Sequence, residues 1–212
     1  MHVFGLTGGF ATGKSSVVAR LRERGVPVVE ADVLARDVVE PGSEGLARVV
    51  EAFGADMLDP RGALDRKRLG HLVFSEVSER RRLEGLLHPL IRDLQKRRMA
   101  ELSARGEPLA CYEAPLLVEV GLESELRPLV VVVSDEAAQV ERAKARDGLD
   151  ETSARARIRA QTPLAEKRAL ADYVIENTGS LAELRNGTDG VLDAICEKLG
   201  IPKERYPRPR SA

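Results

Sequence analysis

Aromatic residues are scarce in this sequence, at 3% of 212 residues with no tryptophan. Proteins that bind single-stranded nucleic acid stack bases on aromatic side chains, so this scarcity argues against that class. An excess of charge of one sign is also lacking, because 33 basic residues face 34 acidic ones and the formal net charge is -1. A near-zero net charge gives no general attraction to nucleic acid or to anionic membranes, so we expect neither as a partner.

Cysteines are few, and long apolar runs are absent. Cys111 and Cys196 have no C-x-x-C spacing, which predicts two buried free thiols and a reducing compartment. The longest apolar run, residues 129–133, is far too short to span a membrane, and no basic leader precedes the first apolar run. We therefore expect a cytoplasmic protein, and the pattern specifies no assembly beyond a monomer or a weak homo-oligomer.

Short runs of strand-forming residues recur along the chain with helical patterns between them. This alternation predicts an α/β fold with a parallel five-stranded sheet flanked by helices. The predicted strands are residues 3–6, 27–29, 109–113, 129–133 and 173–175.

Two long gaps between the predicted strands carry helical patterns. The first predicts a helical insertion at about 33–107, with helices over 44–53, 64–74 and 89–102. His88 is the expected N-cap of the third helix, with Pro89 at its first position. The second gap, about 137–162, predicts two arginine-rich helices. A helix over 181–199 ends the single domain of residues 1–200, and we expect the polar, proline-containing residues 201–212 to be disordered.

Residues 8–15 match the phosphate-binding loop pattern G-x-x-x-x-G-K-[ST], with a strand before it and an amphipathic helix after it. Glycines let the backbone wrap a phosphate, whose oxygens meet N–H groups and the positive end of the helix. Lys14 supplies a charge for the β- and γ-phosphates, and Ser15 is placed to ligate Mg²⁺, the expected cofactor. The alternative is a glycine-rich turn that merely joins strand to helix, which the agreement of motif and context disfavours. The expected ATP-binding residues in the loop are Gly9, Ala11, Thr12, Gly13, Lys14, Ser15 and Ser16.

The other motifs decide which class of nucleotide-binding protein fits. Residues 59–62 have the outline D-x-x-G but follow a predicted helix, and residues 186–189 lack the lysine of N-K-x-D. Both departures disfavour a GTPase. A small-molecule kinase is favoured, a nucleoside monophosphate or shikimate-type kinase stays an alternative within that class, and an RNA-binding NTPase is less favoured because of the balanced charge.

Asp32 follows the second predicted strand. Ligands of an open parallel sheet bind beyond the carboxyl ends of its strands, so a carboxylate there can accept a proton from an acceptor hydroxyl. Asp32 is equally well interpreted as the N-cap of a helix that begins at Val33. The two interpretations are compatible.

Several stretches together resemble the dephospho-coenzyme A kinase family. They occur in the family's order over residues 1 to about 180, and their combination is far more specific than any single stretch. The matching stretches are residues 6–9, 13–16, 30–36, 39–42, 88–91, 113–119, 146–147 and 177–179.

The resemblance implies transfer of the ATP γ-phosphate to the ribose 3′-hydroxyl of dephospho-coenzyme A, so the expected partners are these two substrates. It implies that Asp32 is the catalytic base, with Lys14 and Arg146 also catalytic. It also implies a mobile lid over about 137–162 and places Arg142 and Arg146 in that lid, with Arg142 at the nucleotide and Asn177 near the adenine. The residues implied for the acceptor site are Asp32, Arg36, His88, Glu113, Pro115, Leu116 and Glu119.

Apart from the resemblance, these residues have ordinary interpretations. His88 is then a cap or a hydrogen-bonding core residue, and one of Glu113 and Glu119 is a solvated charge. Arg142 and Arg146 share a helix face, where pairing with Glu141 or Asp147 is usual. The sequence departs from the family at Ala11, where glycine is frequent, and we expect alanine to be tolerated there at helical backbone angles.

Overall fold

The computed structural model describes residues 1–209, apart from the side chains of Phe74 and Ser75. Its centre is a five-stranded sheet in the order β2-β3-β1-β4-β5. β1 pairs in parallel with β3 and with β4, and β4 pairs in parallel with β5. The predicted α/β fold is confirmed. The strands are β1 (His2–Gly8), β2 (Val28–Glu30), β3 (Leu109–Glu113), β4 (Leu129–Val133) and β5 (Tyr173–Glu176).

Helices connect the strands and flank the sheet. In the described part of the chain, none is long and apolar enough to cross a membrane. The helices are α1 (Lys14–Glu23), α2 (Ala31–Asp37), α3 (Glu44–Phe53), α4 (Arg66–Ser75), α5 (Val77–Ala104), α6 (Glu136–Asp147), α7 (Glu151–Arg159), α8 (Leu164–Leu170) and α9 (Leu181–Lys198), and short 3-10 helices cover Ala55–Met57 and Lys203–Arg205.

The chain divides into two compact units, Met1–Val29 with Leu102–Ala212 and Glu30–Glu101. The first unit contains the central strands of the sheet. All residues of β3 and β4 are buried, as expected for strands covered on both faces. Phe4 and Leu6 of β1 pack with apolar side chains of α1 and α9 in the main core. The strand that leads into the phosphate-binding motif therefore lies at the centre of the sheet and is rigidly held.

The second unit is helical and covers most of the expected insertion. Its core contains Val38, Val39 and Val49, and leucines of α5 from both sides of Pro89 pack against it. The prediction of a helix that starts at Pro89 with His88 as its cap was wrong, because α5 runs without interruption through both residues. An interior proline costs about 3 kcal/mol through a lost hydrogen bond and a ring clash. Packing of the helix on both sides of the proline offsets that cost.

The C-terminal segment corrects a second prediction. Residues 201–212 were expected to be disordered, but Ile201 and Tyr206 are buried, with Tyr206 fully inaccessible. The Tyr206 hydroxyl donates to the carbonyl oxygen of Leu109 at 3.2 Å. One buried aromatic side chain and its hydrogen bonds dock a segment whose composition is otherwise polar. Residues 210–212 lie outside the described residues.

Candidate active site

The loop between β1 and α1 is bounded by glycines that packing requires. A Cβ atom at Gly8 would lie 2.5 Å from the carbonyl oxygen of Val132 on the neighbouring strand. Gly13 has a φ of 94°, which L side chains rarely adopt, and its missing side chain leaves room for the Asn177 amide. The loop can therefore approach the sheet closely at both of its ends.

The N-terminus of α1 presents a positive field to the loop. Lys14 is its first residue, and no acidic side chain lies in its first turn. The Lys14 ammonium folds back over the loop and donates to the carbonyl oxygens of Gly9 at 2.9 Å and Gly8 at 3.4 Å. The buried Thr12 hydroxyl donates to Gly9 at 3.0 Å. Backbone N–H groups at a helix N-terminus next to a lysine are suited to bind a phosphate.

Ala11 differs from the sequence-based expectation. Its φ of 55° lies in the left-handed region, so the expected helical angles were wrong. This conformation costs a residue with a side chain about 1–2 kcal/mol. The Ala11 methyl group is buried against Val140, Ala143 and Ala154 of the two helices that follow β4. That packing holds the strained residue in place.

Asn177 and Arg142 hydrogen-bond to the backbone of the loop. The Asn177 side-chain amide donates to the Thr12 carbonyl oxygen at 2.8 Å. Arg142 donates to the Asn177 carbonyl oxygen at 3.0 Å and to the Ser134 hydroxyl at 2.7 Å, with a longer bond of 3.4 Å to Ala11. Both residues therefore support the loop backbone, and their contact with a nucleotide stays a prediction.

Phe10 at the tip of the loop is held through its backbone and faced by two cations. Its N–H donates to the Gln161 side chain at 2.7 Å, and its carbonyl oxygen accepts from Gln139 at 2.5 Å. The guanidinium carbons of Arg146 and Arg157 each lie 5.7 Å from the ring centroid. No sequence pattern indicates either glutamine, because both lie more than a hundred residues from the loop in the chain.

Arg146 is largely exposed and already paired. It donates to both carboxylate oxygens of Asp147 at 2.8 Å, which is an ordinary ion pair between neighbouring side chains. This hydrogen bonding raises the pKa of Arg146, which keeps the guanidinium charged at every working pH. A permanent positive charge is thus placed beside Phe10.

The segment that follows β3 contains the remaining predicted residues of the first unit. Glu113 ends β3 and is buried, whereas Leu116 is exposed. The Pro115 carbonyl oxygen accepts from the hydroxyl of Thr7, which lies in β1. Glu119 pairs with Lys167, a buried lysine of α8. Burial raises the pKa of the Glu119 carboxyl, but hydrogen bonds from Lys167 and from backbone N–H groups offset that effect and lower the pKa below its usual range.

Three predicted residues lie in the helical unit. Asp32 is the second residue of α2, whose N-cap is Glu30, so the alternative that Asp32 is the N-cap was wrong. Asp32 and Arg36 are one turn apart and both exposed, which places them on one side of α2. His88 is exposed within α5 and is therefore neither a cap nor a core residue.

The donors near the loop fit Mg²⁺ that arrives with a triphosphate. Ser15, the second residue of α1, is exposed and offers its hydroxyl beside Lys14. Within residues 1–209 there is no group of three histidine, cysteine or carboxylate side chains that forms a metal cage. Mg²⁺ is commonly held by one or two protein oxygens together with substrate phosphates, and this region offers that kind of site.

Comparison with known proteins assigns the chain to a family. A family model described as dephospho-CoA kinase matches residues 2–183. The chain belongs to the dephospho-CoA kinase family. A relative of that name from Anaeromyxobacter dehalogenans is 52% identical over 192 residues, which cover 91% of each chain. Another from Syntrophotalea carbinolica is 47% identical over 212 residues, which cover 100% of this chain and 98% of the relative.

Solved structures agree with this family assignment. The crystal structure of TT1252 from Thermus thermophilus is similar with a TM-score of 0.78 and 38% identity, and the match covers 92% of this chain and 97% of that one. A dephospho-CoA kinase from Campylobacter jejuni matches with a TM-score of 0.70 and 28% identity, covering 92% and 98%. A shikimate kinase from Acinetobacter baumannii matches with a TM-score of 0.51 and 17% identity, and the match covers 93% of this chain and 94% of that one. At this identity the likeness shows a shared fold alone.

Proposed function

We propose that this member of the dephospho-CoA kinase family transfers the ATP γ-phosphate to the ribose 3′-hydroxyl of dephospho-coenzyme A. The observation that carries the nucleotide half is the loop at the N-terminus of α1, where Lys14 lies over the Gly9 carbonyl oxygen. Asn177 and Arg142 hold this loop in shape, so its N–H groups need little rearrangement to receive phosphates.

Asp32 is the proposed base. It follows the carboxyl end of β2, where ligands of parallel sheets bind, and its exposed carboxylate is free of a capping role. It accepts the 3′-hydroxyl proton as the oxygen attacks phosphorus. Arg36, one turn along α2, and His88 of α5 are proposed to bind the acceptor with the segment after β3.

The helices after β4 are the proposed lid over about 137–162. Arg142 is proposed to contact the nucleotide, with Asn177 near the adenine, and Arg146 to stabilise the charge that develops on the transferred phosphoryl group. Ser15 is proposed to ligate Mg²⁺, which neutralises phosphate charge when bound. Cys111 and Cys196 are buried and form no disulfide, which supports action in the reducing cytoplasm.

Incubation of the purified protein with Mg-ATP and dephospho-coenzyme A, followed by mass spectrometry, tests the assignment. We expect coenzyme A and ADP in equal amounts. Adenosine, shikimate and nucleoside monophosphates serve as control acceptors, since the general kinase fold does not choose among them. Turnover on one of these without turnover on dephospho-coenzyme A would overturn the proposal.

A further inference from the structure

A buried ammonium group joins α8 to the segment that follows β3. Lys167 is fully buried, and its Nζ lies 2.7 Å from a Glu119 carboxylate oxygen and 3.1 Å from the Pro115 carbonyl oxygen. Burial of a charged group is costly, and apolar residues of similar volume often replace such a pair without loss of stability. The two acceptors lie on one segment, so the ammonium fixes that segment at both of its ends.

The same segment is linked to the phosphate loop by two other routes. Glu119 also accepts from the backbone N–H of Thr162 at 3.0 Å, and the preceding residue, Gln161, accepts from the N–H of Phe10. Pro115 also accepts from Thr7 at 3.3 Å, one residue before Gly8. A change in the loop therefore reaches the segment through hydrogen bonds at both ends.

We propose that Lys167 is a positioning residue: it holds residues 115–119 in the arrangement that accepts the hydrogen bonds from Thr7 and Thr162, so that ATP at the phosphate loop orders this segment for the acceptor. The acceptor part of this statement rests on the proposed function, whereas the coupling itself does not. Lys167 acts through Pro115 and Glu119, because a fully buried side chain does not touch either substrate.

Amide hydrogen exchange tests the coupling without turnover. Exchange of residues 116–121 is compared with and without Mg²⁺ and a non-hydrolysable ATP analogue. In the wild-type protein we expect the analogue to slow this exchange about fivefold or more, in the usual range of coupling between sites. Lys167→Met keeps the volume and removes the charge, and we expect most of the slowing to disappear. Arg168→Met is the matched control, since it removes an exposed neighbouring charge that pairs with Glu176.

Kinetics separate positioning from stability. For Lys167→Met we expect a higher KM for dephospho-coenzyme A and a lower kcat, together about tenfold or more in kcat/KM, with unchanged affinity for ATP. Glu119→Gln keeps the shape and an oxygen for Thr162, so we expect a smaller loss in the same direction. If Lys167→Met does not fold, Glu119→Gln is compared with the wild type in its place.

Equal slowing of exchange in the wild type, in Lys167→Met and in Glu119→Gln would overturn the inference. The absence of any slowing in the wild type would also overturn it. A lower Tm with unchanged exchange response and KM would show that Lys167 serves stability only. Coupled exchange without any turnover of dephospho-coenzyme A would support the coupling and contradict the proposed function instead.

Discussion

The side-chain amide of Asn177 fills the space that a side chain at Gly13 would need. A Cβ atom at Gly13 would lie less than 3.0 Å from the Asn177 Nδ2, and that same nitrogen donates to the Thr12 carbonyl oxygen. The last glycine of the phosphate loop and the residue after β5 are thus fitted to each other.

This fit predicts that Gly13→Ala lowers both stability and ATP affinity. Gly25→Ala is the matched control, because Gly25 also has a positive φ but has no neighbour within 4 Å of a Cβ atom. We expect the control to cost about 1–2 kcal/mol of unfolding free energy through backbone strain alone. Gly13→Ala should cost more, and Asn177→Ala should relieve part of the excess. In a double-mutant cycle of Gly13→Ala and Asn177→Ala, strictly additive changes in the free energy of unfolding would contradict the fit.

We expect Asp32→Asn to lower kcat by a factor on the order of 10² to 10⁴, because the amide cannot accept the hydroxyl proton. Its ATP affinity and Tm should stay close to those of the wild type, since Asp32 does not cap α2. Asp37→Asn, at the other end of the same helix, controls for a lost charge. A well-folded Asp32→Asn protein with nearly full turnover would show that the base lies elsewhere.

If Arg146 stabilises the transition state as proposed, Arg146→Ala is expected to lower turnover far more than ATP affinity. Arginines in that role raise kcat by a factor of roughly 10³ to 10⁵. Lys144→Ala is the control, because Lys144 is an exposed cation of the same helix that pairs with Glu141. Equal losses in affinity and rate would instead mark Arg146 as a general binding residue.

Ending the chain after Pro202 is expected to destabilise the protein, contrary to what composition alone predicts. It removes Tyr206, which is fully buried, and the carbonyl oxygen that accepts from Arg24 at 3.1 Å. Loss of a buried large aromatic side chain costs about 3–5 kcal/mol. A chain ended after Pro209 keeps the described contacts and serves as the control. Identical melting curves for both chains would refute the docking.

Acid stability should depend on Asp193. Burial raises the pKa of its carboxyl, but the guanidinium groups of Arg208 and Arg24 offset the effect and lower it below the usual range. A depressed pKa stabilises the fold above the unfolded value of about 4 and loses that contribution as the pH falls through the folded value. We expect Asp193→Asn to be less stable near neutral pH and to show a flatter acid slope in urea unfolding. If the free energies of unfolding of the two proteins fall in parallel with pH below about pH 4, this expectation is contradicted.

Sequence patterns predicted the strands because a β-branched run such as that of β4, with four consecutive valines, carries its own signal. α8 was missed because it has only seven residues and one buried side chain, that of a lysine. The uninterrupted α5 was missed because Pro89 is a strong local signal, whereas the packing that overrides it comes from α3 and α4. The phosphate loop was found by its motif, but its supports, Gln139 and Gln161, depend on tertiary contacts that a single sequence does not show.

The docking of Arg24 has a consequence for the order in which the chain is synthesised. Arg24 caps the C-terminus of α1 and donates to Tyr206, which follows it by 182 residues. At translation rates of about 5–20 residues per second, this acceptor emerges roughly 10–40 s later. The far end of α1 therefore gains this anchor only after residue 206 has been synthesised. A ribosome stalled after α9 would carry a chain with every loop residue in place but without this anchor.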